Sequence, residues 1–412
     1  NDSYAKPVFR PDGKGLYALL ERNNGKVFNN TRLVMFSWPS PGEPGIVSGE
    51  VDSNVSGVAF SPDSATVYVT AEQGGLEKIF RLPSAGGKAR VAADTKAGVY
   101  TSLQSPARAS AHFMISLWSS AVNPAEVVRV DPETRTHKLL TDFNVRKAAA
   151  IDWQPLRHFT FTARNGRAIH NMIALPPGFD ENKKYPLFVE LHGGPHTMWR
   201  DEITLRWNYH LLAQPGYVVL LTNYTGSTGF GEKFAQDMMG DPLKGPAGEI
   251  NEAADEAIER YSFIDASRQC AGGASYGGHL ANWLQATTTR YRCLISHAGL
   301  INMESQWGTS DSIYHREVMA GGPVWEQGSV WREHNPIRFA RNFRTPILLT
   351  VGENDFRVPI NQTLENWSVL QRLRIPSRLI VFPDANHWIL KPEDSRFFYQ
   401  EVHAWLAKYL KP

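Results

Sequence analysis

The amino-acid sequence predicts an α/β domain, a mostly parallel sheet with helices on both faces, preceded by a strand-rich repeat segment. Three observations carry this expectation. Short strands with alternating polarity run to about residue 155, and unalternating apolar runs separated by helical stretches follow from about residue 156. A Gly-x-Ser-x-Gly turn then lies between a strand and a helix of the second half. At 412 residues the chain exceeds one ordinary domain, so two cores are expected.

The first half is punctuated by Gly, Pro, Asp and Asn turns. Phe9-Arg10-Pro11-Asp12-Gly13 before Leu16-Tyr17-Ala18-Leu19 returns as Phe60-Ser61-Pro62-Asp63-Ser64 before Val67-Tyr68-Val69-Thr70, with Pro11 and Pro62 51 positions apart. A weaker third copy, Ser105-Pro106-Ala107 before His112-Phe113-Met114-Ile115, follows after another 44. Partner strands fall between the copies at Lys78 to Leu82 and Glu126 to Val130. Repeats of about 40 to 50 residues built from four strands are the pattern of β-propeller blades, with a β-sandwich as the alternative. Residues 1–155 are therefore expected to form an incomplete propeller segment of about three blades, its N-terminal part missing, and residues 156–412 the α/β domain. Three blades leave a terminal face uncovered, so apolar surface there should be exposed or covered by another copy of the chain, a homo-oligomer.

In the second half, strands are expected at Leu187 to Leu191, Tyr217 to Thr222, Arg292 to Ser296, Pro346 to Val351 and Ser377 to Phe382. Helical periodicity appears at Ile250, Ala254, Ile258 and Tyr261, over Asn361 to Leu373, and from Arg396 to Leu410. Composition excludes several function classes. Lys and Arg number 43 against 41 Asp and Glu, a net charge of +2 with no basic run to track a phosphate backbone, which argues against nucleic acid as a partner. The longest apolar stretches fall far below the roughly 18 residues that span a bilayer. A soluble protein is therefore expected; the chain opens on no signal-peptide pattern, so it is cytoplasmic, or periplasmic or secreted if the native N-terminus carries a signal peptide. The two cysteines, Cys270 and Cys293, each beside a buried strand, read as paired buried thiols rather than a disulfide.

The sharpest motif is Gly273-Ala274-Ser275-Tyr276-Gly277-Gly278, between a short strand ending near Cys270 and a helix from about His279 to Ala286. That is the context of a nucleophile elbow, in which small residues two before and two after the serine let the backbone pack closely while Oγ projects from the sheet. It makes the expected fold an α/β-hydrolase. A serine alcohol is a weak nucleophile and needs a positioned base. Two later strand ends supply the parts in the order acid, then base: Asp355 in Gly352-Glu353-Asn354-Asp355, and His387 in Pro383-Asp384-Ala385-Asn386-His387. Asp355 would hold the imidazole's tautomer while His387 takes the proton of Ser275 and returns it to the leaving amine. Glu353 and Asp384 are the competing acids. Glu353 lies closer to its strand end and Asp384 only three residues before the histidine, which favours Asp355.

Acyl transfer also needs donors aimed at the developing oxyanion. The backbone N–H of Tyr276 is one, and the glycine-containing loop His192-Gly193-Gly194-Pro195 after its strand supplies the other. The histidines at 192, 196, 279 and 297 have no metal-ligand spacing and HExxH is absent, so no metal or other cofactor is expected.

With a strand-rich repeat segment preceding this triad, the chain resembles the prolyl oligopeptidase family of serine peptidases, nearest its acylaminoacyl-peptidase and dipeptidyl-peptidase branch. The resemblance rests on His192-Gly193-Gly194-Pro195, Gly226 to Gly231, Gly273 to Gly278, Asp355-Phe356-Arg357-Val358-Pro359 and Asn386-His387-Trp388. It implies short peptides as substrates, Gly194 and Tyr276 as the oxyanion hole, and Arg357 reaching the carbonyl of the substrate residue before the one at the cut. The pair Tyr224-Thr225 departs from the Pro-Arg that relatives usually carry before Gly-Ser-Thr-Gly, leaving open what replaces that arginine. The alternatives are an esterase, which the repeat segment argues against, and a binding scaffold with an inactive hydrolase half, which the intact triad argues against.

Overall fold

The structure, a computed structural model, describes residues 2–106 and 112–411. The chain divides into two compact units. One comprises residues 1–155 with Arg200–Ile203 and Ser227–Gln236; the other holds Leu156–Trp199, Thr204–Gly226 and Asp237–Pro412.

The first unit is a succession of four-stranded antiparallel meanders. The first is β1 (Ser3–Phe9), β2 (Gly15–Glu21), β3 (Arg32–Ser37) and β4 (Gly45–Ile46). The second is β5 (Val55–Phe60), β6 (Thr66–Gln73), β7 (Leu76–Pro83) and β8 (Arg90–Ala93), and the third β9 (Val99–Gln104), β10 (Met114–Ser120), β11 (Asn123–Asp131) and β12 (Thr136–Leu139). The backbone pairing between the last two is a single parallel bridge, Glu77 to Val99. The sequence repeat has a local cause at its turns. Asp12 Oδ1 accepts the Lys14 N–H at 3.0 Å while Gly13 takes a φ of 72°; Asp63 Oδ1 accepts the Ala65 N–H at 3.0 Å while Ser64 takes a φ of 63°. The aspartate closes the same local turn in both copies, and the residue after it enters the left-handed region. Ala107 of the third copy lies outside the described residues.

Alternation along β6 explains how the meanders stack. Val67 and Val69 enter a core with Tyr17, Leu19 and Leu33 of the first meander, while Tyr68 enters a second core with Tyr100, Met114 and Val128 of the third. A strand with period-two polarity normally buries one face; here the middle meander buries both. Among the outermost residues, Tyr4 and Phe9 of β1 are about half exposed, and Phe143, past β12, is 75% exposed.

The second unit is built on an eight-stranded mixed sheet: β13 (Arg157–Thr162), β14 (Ala168–Ala174), β15 (Tyr185–Leu191), β16 (Val218–Asn223), β17 (Ile264–Ala274), β18 (Cys293–His297), β19 (Ile347–Gly352) and β20 (Ser377–Phe382). The spatial order is β13-β14-β16-β15-β17-β18-β19-β20, parallel from β16 onward and antiparallel at the β13–β14 and β14–β16 pairs. Every residue of β16, β18 and β19 is buried, as the unalternating sequence runs require. Helices Lys244–Arg260, Tyr276–Thr287, Ile360–Leu373 and Pro392–Leu410 cover the sheet, and Tyr276–Thr287 is buried along its whole length but for Thr287.

Two expectations need correction. Strand β17 does not stop near Cys270 but continues to Ala274, because Gly272 and Gly273 keep register with Ile295 and Ser296 of β18 and with Glu190 and Leu191 of β15. The cysteines are joined by a disulfide rather than left as thiols. Cys270 and Cys293 are direct partners across β17 and β18 with Cα atoms 5.0 Å apart, inside the range a disulfide bridges. No helix among the described residues is long and apolar enough to cross a membrane, and no group of three or more metal-ligating side chains occurs among them.

Candidate active site

The site grows from the carboxyl ends of adjacent strands. Ser275 follows β17 and precedes helix Tyr276–Thr287, with φ 60° and ψ −118°. A non-glycine residue there is strained, and the surroundings hold it: its N–H donates to the His297 carbonyl at 2.9 Å, and its carbonyl accepts the His279 N–H at 2.9 Å. The flanking glycines have one steric cause. A Cβ added to Gly273 or to Gly277 would lie 2.1 Å from the carbonyl oxygen of Leu191, so the end of β15 fits the elbow only where both residues lack a side chain.

Asp355 lies on the loop after β19 and His387 on the loop after β20. His387 Nδ1 and Asp355 Oδ2 are 2.7 Å apart, and the carboxylate is fully buried. Its other oxygen, Oδ1, accepts the N–H groups of Arg357 and Val358, both at 2.9 Å, so the acid is immobilised by three donors. The two loops are stitched by Glu353 N–H to the Phe382 carbonyl and Asn354 N–H to the Ala385 carbonyl. The competing acids are elsewhere engaged or exposed: Asp384 faces Lys391 at 3.8 Å, and Glu353 is exposed. The structure thus brings Asp355 and His387 into direct contact and sets Ser275 two strands from Asp355 at the same edge of the sheet.

Tyr276 belongs to the elbow, and Gly194 follows Gly193, which packs against it. Gly194 has φ 103°, a left-handed value that suits glycine, and the neighbouring Gly193 packs so closely that a Cβ would sit 3.0 Å from the Ala274 carbonyl. Tyr276 opens its helix, so its N–H belongs to the first turn, which has no intrahelical acceptor and sits at the positive end of the helix dipole. The Tyr276 side chain is buried, its hydroxyl bonded to the Pro242 carbonyl at 2.5 Å.

Arg357, expected to reach the substrate, meets a carboxylate of its own chain. Its guanidinium meets Asp311 through Nε at 2.5 Å and Nη2 at 3.3 Å, which pushes the guanidinium pKa up and the carboxylate pKa down. Both side chains are about half exposed, so the pair contributes little stability.

Sequence reasoning missed two supports. Tyr224 stacks on His192 at 4.2 Å and 6°, and its hydroxyl donates to the His192 carbonyl at 2.5 Å, bracing the loop that carries Gly194. Burial lowers the His192 pKa to about 4, so the ring is neutral. Thr225 donates its N–H and its hydroxyl to the two oxygens of buried Glu249, each at 2.7 Å. The unusual Tyr224-Thr225 pair therefore supplies its own anchoring. The other missed support is His297, whose carbonyl holds the Ser275 N–H; nothing in its sequence context distinguishes it from a core histidine.

A strand-to-helix elbow, an acid–histidine pair at two later strand ends and a mostly parallel sheet define an α/β-hydrolase. Residues 203–412 match the model of the prolyl oligopeptidase family, and the chain belongs to that family. It is 30% identical over 418 residues to dipeptidyl-peptidase 5 of Porphyromonas gingivalis, an alignment covering all of this chain and 59% of the relative. It is 33% identical over 301 residues to dipeptidyl-peptidase 5 of Schizosaccharomyces pombe, covering 72% of this chain and 44% of that one. The chain thus spans about half the length of these curated relatives. The fold is similar to that of the acylaminoacyl peptidase of Pyrococcus horikoshii, with a TM-score of 0.83 at 22% identity over 97% of this chain and 62% of the other.

Proposed function

We propose that this chain carries the catalytic machinery of a serine peptidase that hydrolyses short peptides near their N-terminus, releasing dipeptides or acylated amino acids. The single observation that carries the reading is the 2.7 Å contact between His387 Nδ1 and the three-donor carboxylate of Asp355, at the sheet edge where Ser275 is held on its strained turn. Asp355 keeps the Nδ1 proton in place, leaving Nε2 to take the Ser275 proton as Oγ attacks the scissile carbonyl carbon. The N–H groups of Gly194 and Tyr276 receive the oxyanion. As the C–N bond breaks, His387 returns the proton to the departing amine. Water, deprotonated by the same imidazole, then hydrolyses the acyl-enzyme. Arg357 would serve substrate positioning, released from or shared with Asp311.

The peptide class comes from the relatives' names, dipeptidyl-peptidase 5 and acylaminoacyl peptidase, and from family membership. We take residues 1–155 as about three blades of a larger propeller, a reading supported by the three four-stranded meanders. The deciding experiment uses the full-length protein and matched short peptides with free and acetylated N-termini. Turnover of one series, abolished in Ser275→Ala together with fluorophosphonate labelling at Ser275, is the expected result. Labelling elsewhere, or turnover that survives Ser275→Ala, overturns the assignment.

A further inference from the structure

Trp388 follows the base of the triad in the chain, and its ring centre lies 4.9 Å from that of His387, edge to face. It is a large apolar side chain left 40% exposed. Arg206 lies over the indole, with Cζ 3.6 Å from the ring centre. Cation–π attraction holds the guanidinium there and fixes its place without neutralising its charge. Among the described residues Arg206 meets no carboxylate within ion-pairing distance and no hydrogen-bond acceptor. A cavity of about 30 Å³ lies beside the pair, lined by Arg206, Trp207, His297, Trp388 and Tyr399 among others, and none of the side chains that line it is acidic. A cation thus stands beside the base with no counter-charge from its own chain.

The geometry points to Arg206 as a specificity-determining residue that takes the C-terminal carboxylate of a short peptide's leaving group. The inference rests on the triad reading above. In that reading His387 gives its proton to the departing amine, so the nitrogen of the released fragment passes within hydrogen-bond reach of the imidazole, about 3 Å. The steps from the His387 ring to the indole and from the indole to the guanidinium, 4.9 and 3.6 Å, together fall short of three extended residues, about 10 Å. A fragment of one or two residues therefore ends with its carboxylate in range of Arg206, and a longer one carries its carboxylate past. The planar guanidinium can receive that carboxylate through two parallel N–H···O bonds, and the exposed indole offers the fragment an apolar surface. No resident carboxylate has to be displaced first, whereas Arg357 starts from its pair with Asp311. An amidated C-terminus presents the same backbone without the charge.

The test uses the full-length protein and matched tripeptides and tetrapeptides that differ only in a free or an amidated C-terminus. Wild type should favour the free acid about 10-fold in kcat/KM, chiefly through KM, the size of a partly exposed charge-assisted pair. Added salt should shrink that preference. The acid-to-amide ratio should fall to near one in Arg206→Gln and stay intermediate in Arg206→Lys, which keeps the charge but not the fork. Equal turnover of acid and amide by wild type, or the same preference in wild type and Arg206→Gln, overturns the inference. Equal losses on both peptides in Arg206→Gln also overturn it, because the arginine would then act by supporting Trp388. Calorimetric binding of the same acid and amide peptides to Ser275→Ala gives a readout independent of turnover: the acid should bind about 10-fold more tightly, and adding Arg206→Gln should erase the difference. If wild type neither turns over nor labels with a fluorophosphonate, the peptidase reading fails and the binding comparison still decides on Arg206. Turnover with no preference for the acid leaves the peptidase reading standing and removes the inference.

Discussion

Replacing Asp355 by asparagine changes one atom, and the structure dictates how the new amide must sit. Oδ1 receives two backbone N–H groups, from Arg357 and Val358, each at 2.9 Å, and Oδ2 receives His387 Nδ1 at 2.7 Å. The asparagine carbonyl must stay on the two N–H groups, because turning the NH2 towards them would leave buried donors facing a donor at a cost of about 1–3 kcal/mol each. The NH2 therefore points at His387 and forces Nδ1 to become the acceptor. The ring proton moves to Nε2, the nitrogen that must take the serine proton, and the base is disabled. The expected loss in kcat is about 10⁴-fold, the magnitude of a wrong tautomer in a serine triad, or about 5.5 kcal/mol in the barrier. Because the hydrogen bonds are conserved in number, Asp355→Asn should melt within a few degrees of wild type. The assay is peptide turnover by the full-length protein alongside fluorophosphonate labelling and a thermal melt. A well-folded Asp355→Asn enzyme that keeps more than about a tenth of wild-type kcat refutes the reasoning, since the asparagine would not then control the tautomer.

Two further outcomes follow from particular side chains. Glu190, on β15 just before the oxyanion loop, is buried with neither carboxyl oxygen hydrogen-bonded among the described residues, and burial raises its pKa well above the usual carboxylate value. A raised folded pKa means stability is greatest below the unfolded pKa and falls as pH rises towards the folded one. Glu190→Gln should accordingly match wild type in denaturant near pH 4 and exceed it increasingly towards pH 8, by about 1.4 kcal/mol per pH unit across the titrating window; a pH-independent difference contradicts this. For the Arg357–Asp311 pair, Arg357→Ala should lower kcat/KM for short peptides about 10- to 100-fold while phosphonate labelling persists, and Asp311→Asn, which keeps the guanidinium, should cost only a few-fold. Equal losses in the two variants would assign Arg357 to the ion pair rather than to substrate.

The amino-acid sequence by itself determined the periodicities and the chemistry. Unalternating runs such as Val218–Asn223 and Ile347–Gly352 could be satisfied only by strands buried on both faces, and the glycines around Ser275 admitted the backbone approach of an elbow. Asp355 and His387 were legible as the candidate acid and base, because each follows a strand end and that placement is local. Less local features were not legible. Alternation in β6 looked like a half-buried strand, yet stacked meanders cover both its faces, because a neighbour remote in sequence supplies the second core. The cysteines gave no sign of their registry; only the β17–β18 pairing sets their Cα atoms 5.0 Å apart. Asp311 on Arg357, Tyr224 on His192 and His297 on Ser275 are contacts across 46, 32 and 22 positions, which tertiary folding alone creates. Short-range sequence grammar encodes what a residue can do, because backbone geometry and polarity act over a few residues. Which groups meet is decided by packing, because the partner that completes a hydrogen bond or fills a core arrives from a distant strand.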